Sequence, residues 1–457
     1  MKTFSISTLG CKVNQYESQQ IREFLSQRGL RQVDSGLIPD LVIVNTCGVT
    51  SRASAKSRQF IRKTQRLWPK CRIIVCGCLP VTQDPGLADF GENVHCVQDR
   101  LDLAAELKNI LNSATSTRPE NTLSIQSTAI KTESLVKSNP GCETGESLPS
   151  LTHFEGQTRA FIKVQDGCDG RCAYCIIPQT RPILHSRPVQ EILDEAQALV
   201  ASGHKEIVVT GVFLGAYGQR TVRRSKWPNQ SNPDLALLVH ELAQVKDLPR
   251  IRLSSLEPAD LTPDLLDVMA SNSHIMPHIH LSLQSGSDTV LKRMGRQYTR
   301  SHFEQVIGAV KDRLDRPALT TDIIVGFPGE TDQEFEETVD LARQTGFAKM
   351  HVFAFSARQG TAAAQMPRKI QGPAMRERAK ILRELDLELA YQYRNQFIND
   401  QATVLIETAE HTQCSGLSER YFKVTIPENE TRARKNDLVT VTLKAHHDHG
   451  LISTAIE

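Results

Sequence analysis

The sequence predicts an α/β protein with several domains, because of the way its apolar segments are spaced. Short apolar runs alternate with helical patterns over residues 1–112, and the alternation resumes over residues 156–398. Such alternation is typical of parallel sheets covered by helices. Residues 400–457 instead contain β-rich runs separated by polar turns, which favours a small all-β barrel. At 457 residues, the chain is long enough for more than one core.

The first segment, residues 1–112, is predicted to form a three-layer βαβ domain. Its strands are expected at 3–8, 40–46 and 72–77, with helices near 14–28 and 51–67. Residues 113–155 then interrupt the pattern with a segment rich in Ser and Thr, which indicates a flexible linker or surface insertion. Cys142 lies within it and is interpreted as an incidental thiol.

Residues 156–398 are predicted to form a partial, open (β/α)6 barrel, because six units are too few for a closed eight-stranded one. A long helix is expected at 372–398, after the last strand. Active sites in such folds lie beyond the carboxyl ends of the strands. The six strand candidates are 161–165, 206–211, 251–256, 278–283, 320–327 and 350–355.

Cys168, Cys172 and Cys175 form a CxxxCxxC motif directly after the first of these strands. Iron–sulfur clusters are usually held by four cysteines, so three thiolates leave one iron open for a small molecule. At this spacing the small molecule is typically S-adenosylmethionine, whose reductive cleavage yields an adenosyl radical. The alternatives are an incomplete zinc site and three ordinary thiols, but zinc motifs favour paired CxxC units with a fourth ligand.

A second set of cysteines follows the three strands expected near the N-terminus. Cys11, Cys47 and Cys78 each lie just beyond the carboxyl end of one strand. The loops at those ends converge on one crevice, and the neighbouring glycines allow close approach of the backbone. Spacing alone leaves open whether these thiols hold a second cluster. Cys71, Cys76 and Cys96 are interpreted as packed or peripheral thiols.

The chain as a whole favours a soluble, cytoplasmic protein. Eleven cysteines in irregular positions indicate reduced thiols instead of a disulfide framework. A net charge of +2 argues against a general polycation, and the N-terminal residues lack the apolar core of a signal peptide. No membrane span is expected, because no run of apolar residues is long enough.

Eight stretches have the character of family motifs: TLGCKVNQYES, VNTCGVTSRAS, GCLP, KVQDGCDGRCAYCIIP, RLSSLEP, LSLQSGSDTVLKRMGR, DIIVGFPGET and FSARQGT. In this order they resemble the methylthiotransferase family of radical S-adenosylmethionine enzymes. The resemblance covers nearly the whole chain. It implies an N-terminal methylthiotransferase domain at 1–112, a radical S-adenosylmethionine barrel at 156–398 and an RNA-binding TRAM domain at 400–457.

The resemblance implies two [4Fe–4S] clusters, with Cys11, Cys47 and Cys78 holding an auxiliary cluster and the CxxxCxxC cysteines holding the radical cluster. Family members act on an adenosine beside the anticodon of tRNA or on an aspartate of a ribosomal protein. The element GCKVNQYES resembles the branch that acts on N6-threonylcarbamoyladenosine. The resemblance therefore implies replacement of the C2–H of that adenosine by a methylthio group.

Further site residues are predicted from their positions near strand ends or in motifs. Since a capped turn or a core hydrogen bond would explain each equally simply, they are candidates only. The candidates for S-adenosylmethionine binding are Tyr174, Gly211, Glu257, Gln284, Asp322 and Gly326. RNA phosphates are expected to meet a one-signed basic stripe, since no acidic residue occurs between Asp40 and Asp84. The stripe consists of Arg52, Lys56, Arg62, Lys63, Arg66 and Lys70.

The expected partners are the anticodon stem-loop of tRNA, a reductant protein such as flavodoxin or ferredoxin, and a source of sulfur; no membrane partner is expected. Residues 401–457 are not basic overall, so RNA contacts there would depend on local patches, Tyr421, Phe422 or shape. Three alternatives remain open at this point. Two use the same chemistry on isopentenyladenosine or on a ribosomal-protein aspartate, and the third is a non-catalytic RNA-binding protein stabilised by iron–sulfur clusters or zinc.

Overall fold

The computed structural model describes eight ranges of the chain: 1–34, 37–82, 85–87, 90–113, 147–224, 232–410, 413–427 and 433–456. Most of the expected linker, together with Cys142, lies outside these ranges. The described residues form a parallel sheet at the N-terminus, a set of βα units at the centre and a closed β-barrel at the C-terminus. The predicted α/β fold class is confirmed.

The N-terminal sheet is parallel throughout, in the strand order β2-β1-β3-β4-β5. β3 is buried on both faces: Leu41 and Ile43 pack with α1 and α4, whereas Val42 and Val44 pack with α2. This alternation produces the predicted three layers. The elements are β1 (Thr3–Thr8), α1 (Lys12–Gln27), β2 (Arg31–Gln32), β3 (Leu41–Thr46), α2 (Ser51–Leu67), β4 (Arg72–Gly77), α3 (Cys78–Val81), β5 (Val94–Cys96) and α4 (Leu103–Ser113).

The central region contains six parallel strands, β6, β8, β9, β10, β11 and β12, which curve into a partial barrel. Bridges at Ile251–Ile275 and Leu256–Leu281 join its two halves, and β7 pairs antiparallel at the β6 edge. The strands are β6 (Arg159–Asp166), β7 (His185–Ser186), β8 (Glu206–Gly211), β9 (Arg250–Leu253), β10 (His278–His280), β11 (Ala318–Val325) and β12 (Lys349–Ala354).

Helices cover the outside of the partial barrel, as expected for βα units. α13 extends from Gly372 to Asn395, close to the predicted 372–398. The helices are α5 (Ile177–Thr180), α6 (Val189–Ala201), α7 (Pro233–Ala243), α8 (Pro263–Ser271), α9 (Asp288–Met294), α10 (Arg300–Arg313), α11 (Asp332–Thr345), α12 (Ala362–Gln365) and α13. Single 3₁₀ turns occur at Pro85–Leu87, Leu214–Ala216 and Pro258–Asp260.

The C-terminal strands close into a barrel in the order β13-β14-β15-β17-β16. This barrel lies against the amino ends of the central strands, where Arg250 donates to the Leu417 carbonyl at 3.1 Å and Arg159 pairs with Glu407 at 3.1 Å. Phe422 is buried in its core, which removes it from the expected RNA contacts. The strands are β13 (Gln401–Glu410), β14 (Gln413–Ser418), β15 (Lys423–Pro427), β16 (Leu438–His447) and β17 (Gly450–Ile456).

A buried ion-pair network joins the N-terminal sheet to the partial barrel. α1 packs on β6 and β8 as well as on its own sheet, and the guanidinium of Arg181 binds both Glu17 oxygens at 2.8 Å. Burial alone would raise the pKa of Glu17, but Arg181 and Lys163 outweigh burial and lower it to about 2. The two regions therefore meet through fully charged, paired groups. None of the described helices has both the length and the apolarity needed to cross a membrane.

Candidate active site between two cysteine triplets

The CxxxCxxC loop, residues 167–176, begins where β6 ends and brings its three cysteines to one cavity. Gly167 has φ +80°, and a Cβ there would come within 1.8 Å of the Ile183 carbonyl oxygen, so only glycine fits the turn. The Cys168 amide then donates to the Arg181 carbonyl at 2.9 Å, which ties the loop to the segment after α5. Cys168, Cys172 and Cys175 line a cavity of about 170 Å³.

Thiolates at these three positions would need a nearby cation to compensate their charge. Burial, with a smaller contribution from charge on the neighbouring cysteines, raises the pKa of Cys168 to about 11 and that of Cys175 to about 12. Three thiolates in this cavity would therefore repel one another unless a metal group compensates their charge. Metal ligation deprotonates such thiols, so the donor set fits an iron–sulfur cluster.

Three of the six residues predicted to bind S-adenosylmethionine line this cavity: Tyr174, Glu257 and Gln284. Among the described residues, Gly211, Asp322 and Gly326 are not part of its wall. Gly211 ends β8 immediately before Val212 and Phe213, which do line the cavity. Asp322 faces a second cavity within the barrel.

Gly326 has a packing role that its position in the sequence did not reveal. It has φ +74°, and a Cβ there would come within 2.2 Å of the Met375 side chain on α13. Its amide donates to a Glu330 carboxylate oxygen at 2.7 Å. In the structure, this glycine lets α13 approach the end of β11.

Arg296 is a cavity residue that sequence reasoning missed. Its guanidinium lies 2.7 Å from Glu257 and 3.3 Å from the Cys172 sulfur, and its side chain is only 6% exposed. Gly295 ends α9 in the left-handed conformation and turns the chain back toward the CxxxCxxC loop. The only sequence signal was that Arg296 ends the stretch LSLQSGSDTVLKRMGR. The cavity thus holds a carboxylate and a guanidinium side by side, which matches the two charges of an α-amino acid.

The N-terminal crevice, formed by the loops that carry Cys11, Cys47 and Cys78, lies at the carboxyl edge of the first sheet. The strand order reverses between β1 and β3, and Cys11 and Cys47 follow these two strands. Ligands of open α/β sheets bind at such a switch point. A Cβ on Gly10 would come within 3.0 Å of the Cys47 Cβ, and one on Gly48 within 3.2 Å of the Cys78 carbonyl carbon. The fold therefore brings together three thiols that are distant in the sequence.

Asn14 holds two of these loops together. Its amide nitrogen donates to the Leu9 carbonyl at 2.9 Å and to the Thr46 carbonyl at 2.8 Å. Burial raises the pKa of Cys78 to about 11; Arg181 opposes this effect, while charge on Cys11 and Cys47 adds to it. The three thiols thus share one electrostatic environment and again fit a cationic metal group.

The two triplets face the same junction. α3, which begins with Cys78, packs against α5, which follows the CxxxCxxC loop. Beyond Cys47, the Ser51 amide donates to the Ser356 hydroxyl at 3.1 Å, and the Ser51 hydroxyl donates to the Ala357 carbonyl at 3.1 Å. The N-terminal crevice therefore caps the carboxyl end of the partial barrel, as a reaction involving both triplets requires.

Comparison with known proteins identifies the family. The Radical SAM superfamily matches residues 162–342, and the uncharacterized protein family UPF0004 matches residues 3–98. The chain is 36% identical to the threonylcarbamoyladenosine tRNA methylthiotransferase MtaB of Chlamydia pneumoniae, over 99% of this chain and 98% of that protein. The chain belongs to the radical S-adenosylmethionine methylthiotransferase family.

Two other relatives and one solved structure are also similar to this chain. The MtaB protein of Bacillus subtilis (strain 168) is 35% identical over 94% of this chain and 91% of that protein. A tRNA-2-methylthio-N(6)-dimethylallyladenosine synthase of Alkaliphilus oremlandii is 31% identical over 92% of this chain and 85% of its own. The radical S-adenosylmethionine methyltransferase TsrM from Kitasatospora setae shares the fold, with a TM-score of 0.52 at 16% identity over 78% and 75% of the two chains.

As a radical S-adenosylmethionine methylthiotransferase, the chain is a transferase of sulfur-containing groups whose cofactors are S-adenosylmethionine and [4Fe–4S] clusters. Both triplets fit this cofactor class by their donor type. The basic stripe lies on the exposed side of α2, and its opposite face, with Ser57 and Ile61, is buried against the sheet. All six residues of the stripe are exposed, although Lys70 follows the end of the helix.

Proposed function

We propose that this chain adds a methylthio group to C2 of N6-threonylcarbamoyladenosine, the modified adenosine on the 3′ side of the anticodon in tRNA. The main support is that two cysteine triplets meet at one junction. The chain that carries them is 34–36% identical to three MtaB proteins over at least 94% of its length. The stretch LGCKVNQYES, which includes Cys11 and the first turns of α1, adds support.

Each cysteine triplet would hold one of two iron–sulfur clusters. Cys168, Cys172 and Cys175 would hold the radical cluster, and Cys11, Cys47 and Cys78 the auxiliary cluster. When bound, these groups supply reductive cleavage of S-adenosylmethionine and the sulfur that is methylated. A radical route suits the reaction, because the C2–H of adenine is not acidic enough for ordinary base catalysis.

The cavity side chains would orient the cofactor. Glu257 would bind the ammonium of the methionine part of S-adenosylmethionine, and Arg296 would bind its carboxylate, so their mutual ion pair opens as the ligand enters. Tyr174 and Gln284 line the same wall and would contact the remainder. Gly211, Asp322 and Gly326 do not line this cavity, and a cofactor contact at each of them remains a prediction.

The substrate would approach across the capped mouth of the barrel. The basic stripe on α2 would contact phosphates of the anticodon stem-loop, whose unstacked loop bases are inexpensive to extrude. Residues 1–112, 156–398 and 400–457 would act as the methylthiotransferase, radical and TRAM domains, with 113–155 as the linker. A reductant protein and a sulfur source would complete the reaction. A tRNA substrate and reduced thiolate ligands favour a cytoplasmic location.

The test is mass spectrometry of tRNA nucleosides from cells that lack the gene and from cells that re-express it. We expect 2-methylthio-N6-threonylcarbamoyladenosine to disappear with the gene and to return on re-expression, while the unmethylthiolated precursor accumulates. If only a 2-methylthio derivative of dimethylallyladenosine changes, or no nucleoside changes, the proposed substrate is wrong.

A further inference from the structure

A second cavity, of about 190 Å³, lies within the partial barrel, and its wall extends from Arg159 at the start of β6 to Ser255 beyond the end of β9. It adjoins the cavity of the CxxxCxxC loop, because Ser255 lines both. On the side of the N-terminal crevice its wall includes Lys12, which directly follows Cys11. A group held here would therefore lie close to both cysteine triplets.

The wall of this polar cavity is rich in positive charge. Asp322 is the acidic residue among those that line it. The Arg252 guanidinium is paired with Glu206 at 2.8 Å, and Arg159 is paired with Glu407, so these two are already compensated in part. The basic and imidazole side chains of the wall are Lys12, Arg159, Arg252, His278, His280 and His351.

Lys12 is the uncompensated cation of this set. Its ammonium makes no hydrogen bond or ion pair with any residue in the ranges that the structure describes. It occupies the first position of α1, a helix without an acidic residue in its first turn. A cation there opposes the helix dipole, so the helix itself gains nothing from it. An anion entering the cavity would give this lysine its partner.

Hydrogen-bonding side chains complete the wall. His278 is 4% exposed, and its Nδ1 has no partner among the described residues, while its Nε2 lies 3.0 Å from the Thr320 hydroxyl. His280 contacts the same hydroxyl through Nδ1 at 2.9 Å and faces Asp322 through Nε2 at 3.4 Å. A buried polar atom without a partner is costly, which points to a polar ligand for His278.

We propose that this cavity receives the threonylcarbamoyl group of the substrate, with the Lys12 ammonium bound to its carboxylate; this rests on the proposed function. The group carries one carboxylate, a hydroxyl and urea N–H groups, which match a cation, imidazoles and Asp322 respectively. An apolar dimethylallyl group would leave the Lys12 ammonium and His278 Nδ1 desolvated and unpaired. With its side group anchored here, the adenine would lie between the two cysteine triplets.

A divalent cation is the competing occupant, since ligand atoms of His280, Asp322 and His351 lie within 4.8 Å of one another. Lys12, Arg159 and Arg252 line the same small cavity and would repel such an ion. The charge of the wall therefore favours the carboxylate.

The experiment compares two anticodon stem-loop RNAs with the reconstituted holoenzyme. One carries N6-threonylcarbamoyladenosine, and the other carries the same nucleoside with its carboxylate converted to a carboxamide. We expect the enzyme to bind the carboxylate RNA about 10- to 100-fold more tightly, by fluorescence anisotropy, because a charge-assisted hydrogen bond is lost in the amide. Lys12→Met should abolish this preference, whereas Lys205→Met, at an exposed lysine outside the cavity, should keep it. Iron content and thermal unfolding check that both variants fold.

Three outcomes would overturn the inference while leaving the proposed function intact. In the first, the enzyme methylthiolates the carboxylate RNA but binds both RNAs equally well. In the second, Lys12→Met retains the preference. Binding of Zn²⁺ that His351→Ala removes would likewise assign the cavity to a metal ion. Failure of the wild-type enzyme to methylthiolate the carboxylate RNA at all would instead contradict the proposed function.

Discussion

The CxxxCxxC loop and the N-terminal crevice each present three cysteines to the same junction, but they assemble them differently. The first set occupies one short loop, fixed by the turn at Gly167 and by the Cys168 hydrogen bond to Arg181. The second set follows three separate strands and depends on sheet order and on Asn14, which joins two of the loops. Changes in the sheet should therefore damage the crevice while sparing the loop.

The largest expected effect comes from removing one cysteine of each triplet. Cys172→Ala should abolish both cleavage of S-adenosylmethionine and methylthiolation, since it removes a proposed ligand of the radical cluster. Cys78→Ala should abolish methylthiolation but retain the cleavage. Each variant should lose roughly half of about eight irons per chain. Iron and sulfide analysis, with chromatography of the 5′-deoxyadenosine product, measures these outcomes.

Cys76→Ala is the matched control for Cys78→Ala. Cys76 lies two residues earlier, inside β4, where burial raises the pKa of its thiol and holds it neutral in the core. Its loss should leave the iron content unchanged. Equal iron loss in Cys76→Ala and Cys78→Ala, four irons in the wild type, or zinc in place of iron would contradict the two-cluster assignment.

A smaller effect is expected at the interface between the two regions. Arg181→Met leaves the buried Glu17 and Asp166 carboxylates without their shared guanidinium. Breaking a buried ion pair in this way costs about 3–5 kcal/mol. Thermal or denaturant unfolding should show this loss, and methylthiolation should fall further than cleavage of S-adenosylmethionine because the crevice no longer seats on the barrel. Equal stability of variant and wild type would show that the network is not structural.

The same interface should respond to acid with a defined sign. The folded-state pKa of Glu17 is about 2, below its usual 4.5, so its ionised form stabilises the folded state at pH values above 4.5. This contribution should disappear as the pH falls from 4.5 toward about 2. Unfolding of the metal-free chain should therefore show wild type more stable than Glu17→Gln near neutrality and a shrinking difference in acid. A difference that grows in acid would contradict the assignment.

The contrast between the triplets also explains what the sequence could predict. β1, β4 and β8 were predicted at their observed bounds, because short apolar runs between turn residues mark buried parallel strands. β14, with the sequence QCSGLS, and the short edge strands β2 and β7 lack such runs and were missed. The Arg296–Glu257 pair was also missed, since burial of a charge depends on packing between segments distant in sequence. The stack of Tyr421, a candidate for RNA contact, on His278 at 4.0 Å between ring centres was not predicted either.

Asn14→Ala provides the smallest and most selective test, because it changes no proposed ligand. The variant loses both hydrogen bonds that join the Cys11 and Cys47 loops and leaves the Leu9 and Thr46 carbonyls without this donor. Each unsatisfied buried group costs about 1–3 kcal/mol. We expect iron bound at the crevice to become labile to chelators while the CxxxCxxC loop retains its iron and still supports cleavage of S-adenosylmethionine. Loss of iron from both sites at equal rates would instead show that the two triplets are stabilised together, since the hydrogen bonds of the Asn14 side chain within the described residues all lie in the N-terminal region.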